Sequence, residues 1–130
     1  MDQTALVETD IQIGEEATRA LDESKALPVR ACLWQYVPEA AEWRLLVASP
    51  LVDEKGPREA YTRIQQALQE AKLTSKLPLR RISAVSPTHD LIKLLRGVIK
   101  TGRKEIAHIW FSNNTINNTF IEGVFVYRLN

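Results

Sequence analysis

The chain is 130 residues long, enough for one domain with a single hydrophobic core, and its 45% hydrophobic and 25% charged content is that of an ordinary globular protein rather than a disordered or fibrous one. No apolar run approaches the roughly 20 residues a membrane span needs, and the lone Cys32 excludes an intramolecular disulfide and a multi-cysteine metal site. Net charge is only +1, but residues 1–71 carry 7 basic against 13 acidic residues, whereas residues 72–104 carry 9 basic residues against Asp90 alone.

The first stretch is acidic (Asp2, Glu8, Asp10, Glu15, Glu16) and lacks a basic segment followed by an apolar one, so no secretory signal is read and the expected compartment is the cytoplasm. Thr9 and Gln12 have the spacing of a capping box, and Ile13, Ala17, Ala20 and Leu21 recur at helical intervals after them. Gly14 weakens the first turn of that helix. Beyond Pro28, residues 29–37 alternate Val29, Ala31, Leu33 and Val37 with Cys32, Trp34 and Tyr36; two apolar faces imply a central strand. A polar connection at 38–42 leads to a second strand at 43–49, and the two are expected to pair as an antiparallel hairpin.

Residues 53–56 read as a turn, and Pro57 suits the first position of a second helix with an apolar stripe of Ala60, Tyr61, Ile64, Ala67, Leu68 and Ala71. Glu59 and Arg63 add an i,i+4 ion pair to it. Residues 79–85 read as a third strand, and Ser86-Pro87 as the cap and first position of a third helix that ends at Gly102. In that helix Leu91, Leu94, Leu95 and Val98 form the apolar stripe, opposite Lys93, Arg96 and Lys100. Residues 106–112 and 119–129 are the last two strands, joined by an Asn-rich loop at 113–118. The expected architecture is therefore a single α+β domain over 1–130, in the order α-β-β-α-β-α-β-β. Its five strands form one mixed sheet with helices packed on it, and each internal helix, as a crossover, favours parallel neighbours.

The sequence does not announce a reaction. The most concentrated chemistry is the basic face of the third helix: Lys93, Arg96 and Lys100, extended by Arg103 and Lys104. Such residues could contact phosphates of a nucleic acid, meet an acidic partner surface, or simply solvate a helix. The loops expected at strand-to-helix junctions offer Gly56 and Arg58, and Ser86, Thr88 and His89, as possible anion ligands, although Asp53, Glu54 and Asp90 oppose an anion and neither loop has a Gly-rich phosphate motif. His89 and His108 are the only histidines; a metal or hydrolytic site would need the fold to join them with Asp90 or Glu105, and no catalytic, metal or cofactor pattern assigns one. Cys32 reads as a small buried hydrophobe. Trp34, Trp43 and Trp110 all fall on strands, where any that is solvent-exposed marks a binding surface. The two Asn-x-Thr acceptor patterns in the Asn-rich loop carry no weight for glycosylation without a signal.

Three functions follow in order of expectation. The first is a non-catalytic interaction or regulatory module, self-associating as a homo-oligomer or bound to a protein partner, with no membrane involvement. The second is nucleic-acid binding through the basic helix. The third is a small-ligand enzyme or sensor at the strand-to-helix loops.

Overall fold

The structure, a computed structural model, describes residues 6–130; Asp2 lies outside the described residues. The elements are α1 (Glu8–Ser24), β1 (Ala31–Val37), β2 (Glu42–Ala48), α2 (Leu51–Lys55), α3 (Pro57–Glu70), β3 (Ile82–Val85), α4 (Asp90–Arg96), β4 (Ile109–Ile116) and β5 (Thr119–Leu129). One five-stranded mixed sheet runs β3-β2-β1-β5-β4. β1 lies at its centre, as two apolar faces require. It pairs antiparallel with β2 and with β5, with a register shift between Cys32 and Leu33 in the latter pairing.

The crossover through α3 makes β2 and β3 parallel neighbours, whereas that through α4 carries the chain from one edge of the sheet to the other, so β3 and β4 do not touch. β4 and β5 form the second hairpin. Helices cover both faces. Cys32, Trp34, Tyr36, Leu45, Val47, Phe125 and Tyr127 point into a core with Ile13, Ala17 and Leu21 of α1 and Ala60, Ile64, Ala67 and Leu68 of α3. Ala31, Leu33, Leu46, Ala48, Val124 and Val126 point the other way, against Ile92 and Leu95 of α4 and Ile99 beyond it.

Several local expectations are corrected. α1 begins before Thr9, with Val7 at its N-cap and no side-chain cap, so Thr9 and Gln12 do not form a capping box. The turn expected at 53–56 is a short helix, α2, closed by Gly56, whose φ of 90° is a backbone state that suits glycine. Residues 79–81 form a 3-10 turn, leaving β3 only four residues. α4 starts at Asp90 instead of Pro87, because the His89 Nδ1 accepts from the Leu91 N–H at 3.2 Å and caps it, while Ser86 Oγ accepts from Thr88 N–H at 3.1 Å in a separate turn. It stops at Arg96, with Gly97 following, well short of Gly102. The Asn-rich loop is shorter than expected: 113–116 belongs to β4, and the hairpin turns on Asn117 and Asn118 alone, both at positive φ (49° and 68°). Two consecutive left-handed residues define the type I′ turn whose twist matches a β-hairpin, and Asn tolerates that conformation better than most residues.

Candidate functional site

The two strand-to-helix loops meet. Ser86 Oγ donates to Asp53 Oδ2 at 2.9 Å and lies 2.8 Å from Thr88 Oγ1, so their hydroxyls are occupied in holding α2 to the turn after β3. His89 is occupied in capping α4. Gly56 links α2 to α3, and Arg58, in the first turn of α3, lines a broad cleft of about 650 Å³ with Arg44, Tyr61 and Arg80 that includes neither His89 nor Asp90. The Tyr61 hydroxyl in this cleft accepts from the Ala84 N–H of β3 at 3.0 Å. The ligand residues read from the sequence are therefore divided between a turn and a cleft.

The five basic residues are divided too. Lys93 and Lys100 are exposed, on α4 and just beyond it. Arg96 turns back into the fold, donating to the Pro87 carbonyl at 3.2 Å and the Asn130 carbonyl oxygen at 3.4 Å. Arg103 and Lys104 lie on the segment that follows α4. That segment is pinned alongside β5 by Thr101 N–H to Leu129 O and Ala107 N–H to Tyr127 O. There they line a cleft of about 260 Å³ together with Lys25, Arg30 and Arg128, over an apolar floor of Leu27, Pro28 and Val29.

Arg128 forms the back of this cleft, and its side chain is only 1% exposed. Its guanidinium forks onto the Asp22 carboxylate at 2.9 and 2.7 Å and donates to the Glu105 carbonyl at 3.0 Å. The Asp22 hydrogen bonds outweigh the desolvation of the buried cation and hold its pKa above the usual arginine value. Lys25, Arg30 and Arg128 were not singled out from the sequence. Only Arg128 carried a local signal, a lone charge in the otherwise apolar run 124–129.

A third feature is the aromatic surface at the β4 edge. Trp43 meets Tyr36 at 5.4 Å with the rings tilted and meets Trp110 edge-on at 6.1 Å, and Trp110 lies 4.8 Å from Phe125. Phe125 in turn meets His108 at 5.5 Å and Tyr127 at 5.3 Å. Trp34 and Trp43 are buried, but Trp110 is 51% exposed. His108 Nε2 is 2.7 Å from Glu15 Oε1, and hydrogen bonds from Arg19 and His108 hold the Glu15 carboxyl below its usual pKa. Deeper in the same layer, the Arg81 guanidinium sits 4.8 Å from the Trp34 ring centroid.

Cys32 is fully buried beside the Thr18 hydroxyl (3.2 Å), and desolvation pushes its thiol up to about 11, so it is a protonated core group at neutral pH. Among the described residues, no three His, Cys, Asp or Glu side chains are grouped to hold a metal ion, and no helix is long and apolar enough to cross a membrane. Comparison with protein-family models, with curated proteins and with solved structures finds no match to this chain.

Proposed function

We propose that the chain is a non-catalytic, self-associating interaction module whose working surface is the outer edge of β4. The observation that carries this reading is the character of that edge: β4 is the last strand of the sheet, and its eight residues, IWFSNNTI, include no charge and no proline. An end strand presents a row of unpaired N–H and C=O groups, and soluble proteins usually protect it with Lys, Pro or a very short strand. The opposite edge, β3, is of the protected kind: four residues, preceded directly by Arg80 and Arg81.

The occupant favoured by the chemistry is a second copy. A two-fold axis sets the same strand against itself, so any charge near the axis meets its own image, and an uncharged strand alone avoids that repulsion. Antiparallel pairing of two β4 strands over 109–112 joins the two sheets into one. It also brings the half-exposed Trp110 rings together beside Trp43 and Phe125, where burial of aromatic surface adds to the backbone bonds. Asn113, at positive φ (50°), breaks the run of extended residues at the end of that segment and limits the pairing to it. An interface this small belongs to the weak, reversible class, with a dissociation constant on the order of 10 µM.

Sedimentation velocity over a range of concentrations spanning that value tests the reading. The wild-type chain is expected to pass from monomer to dimer, and Trp110→Lys, which sets two ammonium groups near the axis, to stay monomeric with an unchanged circular dichroism spectrum. A wild-type chain that remains monomeric throughout overturns it.

A further inference from the structure

We infer that the cleft between the end of α1, the start of β1 and the segment after α4 is a binding site for a small phosphate-bearing ligand. This reading is independent of the β4 edge. Four cations, Lys25, Arg30, Arg103 and Lys104, converge on the cleft, and among the described residues none of them has a carboxylate within ion-pair distance. The one acidic side chain in the lining, Asp22, is taken by the buried fork of Arg128. The concavity therefore holds an excess of positive charge that the protein itself does not neutralise. Four like charges gathered around one concavity raise its positive potential, which a counter-anion entering it relieves, even though the side chains themselves are exposed.

The shape and chemistry of the lining select the ligand. Guanidinium groups donate in a planar fork that matches phosphate oxygens two at a time, and two arginines with two lysines exceed what a single carboxylate requires. Leu27, Pro28 and Val29 give an apolar wall against which the non-phosphate part of a small molecule can lie. A volume of about 260 Å³ is just below the usual range of small-molecule sites, so a phosphate ester or diphosphate of modest size fits and a long polymer does not. A nucleic-acid track would also need the cations of α4. Lys93 and Lys100 do not line the cleft, and Arg96 is turned inward to the Pro87 and Asn130 carbonyls.

The floor explains why the site is rigid enough to select. Val29 and Leu27 are buried, Arg30 precedes the central strand with its N–H on the Ala48 carbonyl at 2.8 Å, and the N–H of Asn130 returns to the Arg30 carbonyl at 2.9 Å. Lys25 is held at the C-cap of α1 in the left-handed conformation (φ 56°) by its N–H on the Asp22 carbonyl. Backbone positions on three segments are thus fixed, and only the exposed side-chain ends must adapt.

Isothermal titration calorimetry of the full chain with inorganic pyrophosphate, adenosine triphosphate and a short oligothymidylate, at low and at moderate salt, tests the assignment. Pyrophosphate or the triphosphate is expected to bind at one site, more weakly as salt rises, and more tightly than the oligonucleotide does per molecule. Arg30→Ala and Lys104→Ala are each expected to weaken that binding about tenfold, the effect of losing one charge-assisted contact, while Lys93→Ala leaves it unchanged. Both altered side chains are exposed, and a retained circular dichroism spectrum shows that the fold persists. The inference is overturned by an absence of heat with both small phosphates at low salt. It is equally overturned by binding that Arg30→Ala and Lys104→Ala do not weaken, or by preferential oligonucleotide binding that is lost in Lys93→Ala.

Discussion

Gly14 stands in the middle of α1 because nothing larger fits between that helix and the sheet. The Tyr127 hydroxyl donates to the Ile11 carbonyl at 2.6 Å and accepts from the Trp34 indole N–H at 3.0 Å, which draws both rings up to the helix backbone. A Cβ on Gly14 would meet the Tyr127 hydroxyl, and would lie 2.6 Å from Trp34 Nε1 and 2.7 Å from Tyr127 Cε2. In a free helix, Gly→Ala gains up to about 1 kcal/mol; overpacking of a close-packed site costs about 1–3 kcal/mol, and here it also breaks the hydrogen-bonded relay from Trp34 to Ile11. Gly14→Ala is therefore expected to lose about 2 kcal/mol net in urea unfolding, with the midpoint lowered and the slope unchanged. A gain in stability would show that helix propensity decides at this position and that the contact does not. In the sequence Gly14 is only a weak point in a helix, since the Tyr127 hydroxyl that explains it lies more than a hundred residues away on β5.

At the scale of elements, α4 shows how much a short apolar run leaves undecided. Residues 91–99 contain Leu91, Ile92, Leu94, Leu95, Val98 and Ile99, so two overlapping stripes at helical spacing are present at once. The stripe with Leu91 and Val98 assumes a helix that continues to Gly102. The helix ends at Arg96, so Val98 falls on the following turn and is 54% exposed, while Ile92 and Leu95 are fully buried against β1, β2 and β5. Ile92→Ala is expected to cost about 3 kcal/mol through the cavity it leaves, and Val98→Ser less than about 0.5 kcal/mol, both read from the thermal or urea midpoint. Equal costs would favour the longer helix and the other stripe. Strand order, the split of helices between faces and the inward turn of Arg96 were likewise not legible, because each is fixed by contacts distant along the chain. The five strands, both hairpins and the central position of β1 were legible, because alternation and turn residues are local. The exposed Trp110 could be named as a candidate but not distinguished from Trp34 and Trp43, which alternate just as regularly and are buried.

Across the whole molecule, the acidic part (1–71) and the basic part (72–104) are joined among the described residues by a single ion pair, Arg81 to Asp10 at 3.3 Å, instead of along one interface. The other long-range pair comes from beyond the basic part, where Arg128 of the last strand takes Asp22 of the first helix. The Arg128 contact joins three distant segments, α1, β5 and the irregular stretch through Glu105, and its two partners are unequally placed. The Arg128 side chain is 1% exposed, whereas that of Asp22 is 22% exposed. Removing the carboxylate leaves a buried guanidinium with only the Glu105 carbonyl, while removing the guanidinium leaves a carboxylate that water can still reach. Asp22→Ala is therefore expected to cost about 3 kcal/mol, and Arg128→Leu, which refills the site with apolar volume, about 1–2 kcal/mol. The order of the two losses is the test, measured by urea unfolding at neutral pH. A larger loss for Arg128→Leu would mean that the arginine stabilises the fold mainly through its tie to Glu105 and its own packing. In that case Arg128 would support the segment carrying Arg103 and Lys104, beside that segment's own backbone bonds to β5, without needing the carboxylate from α1.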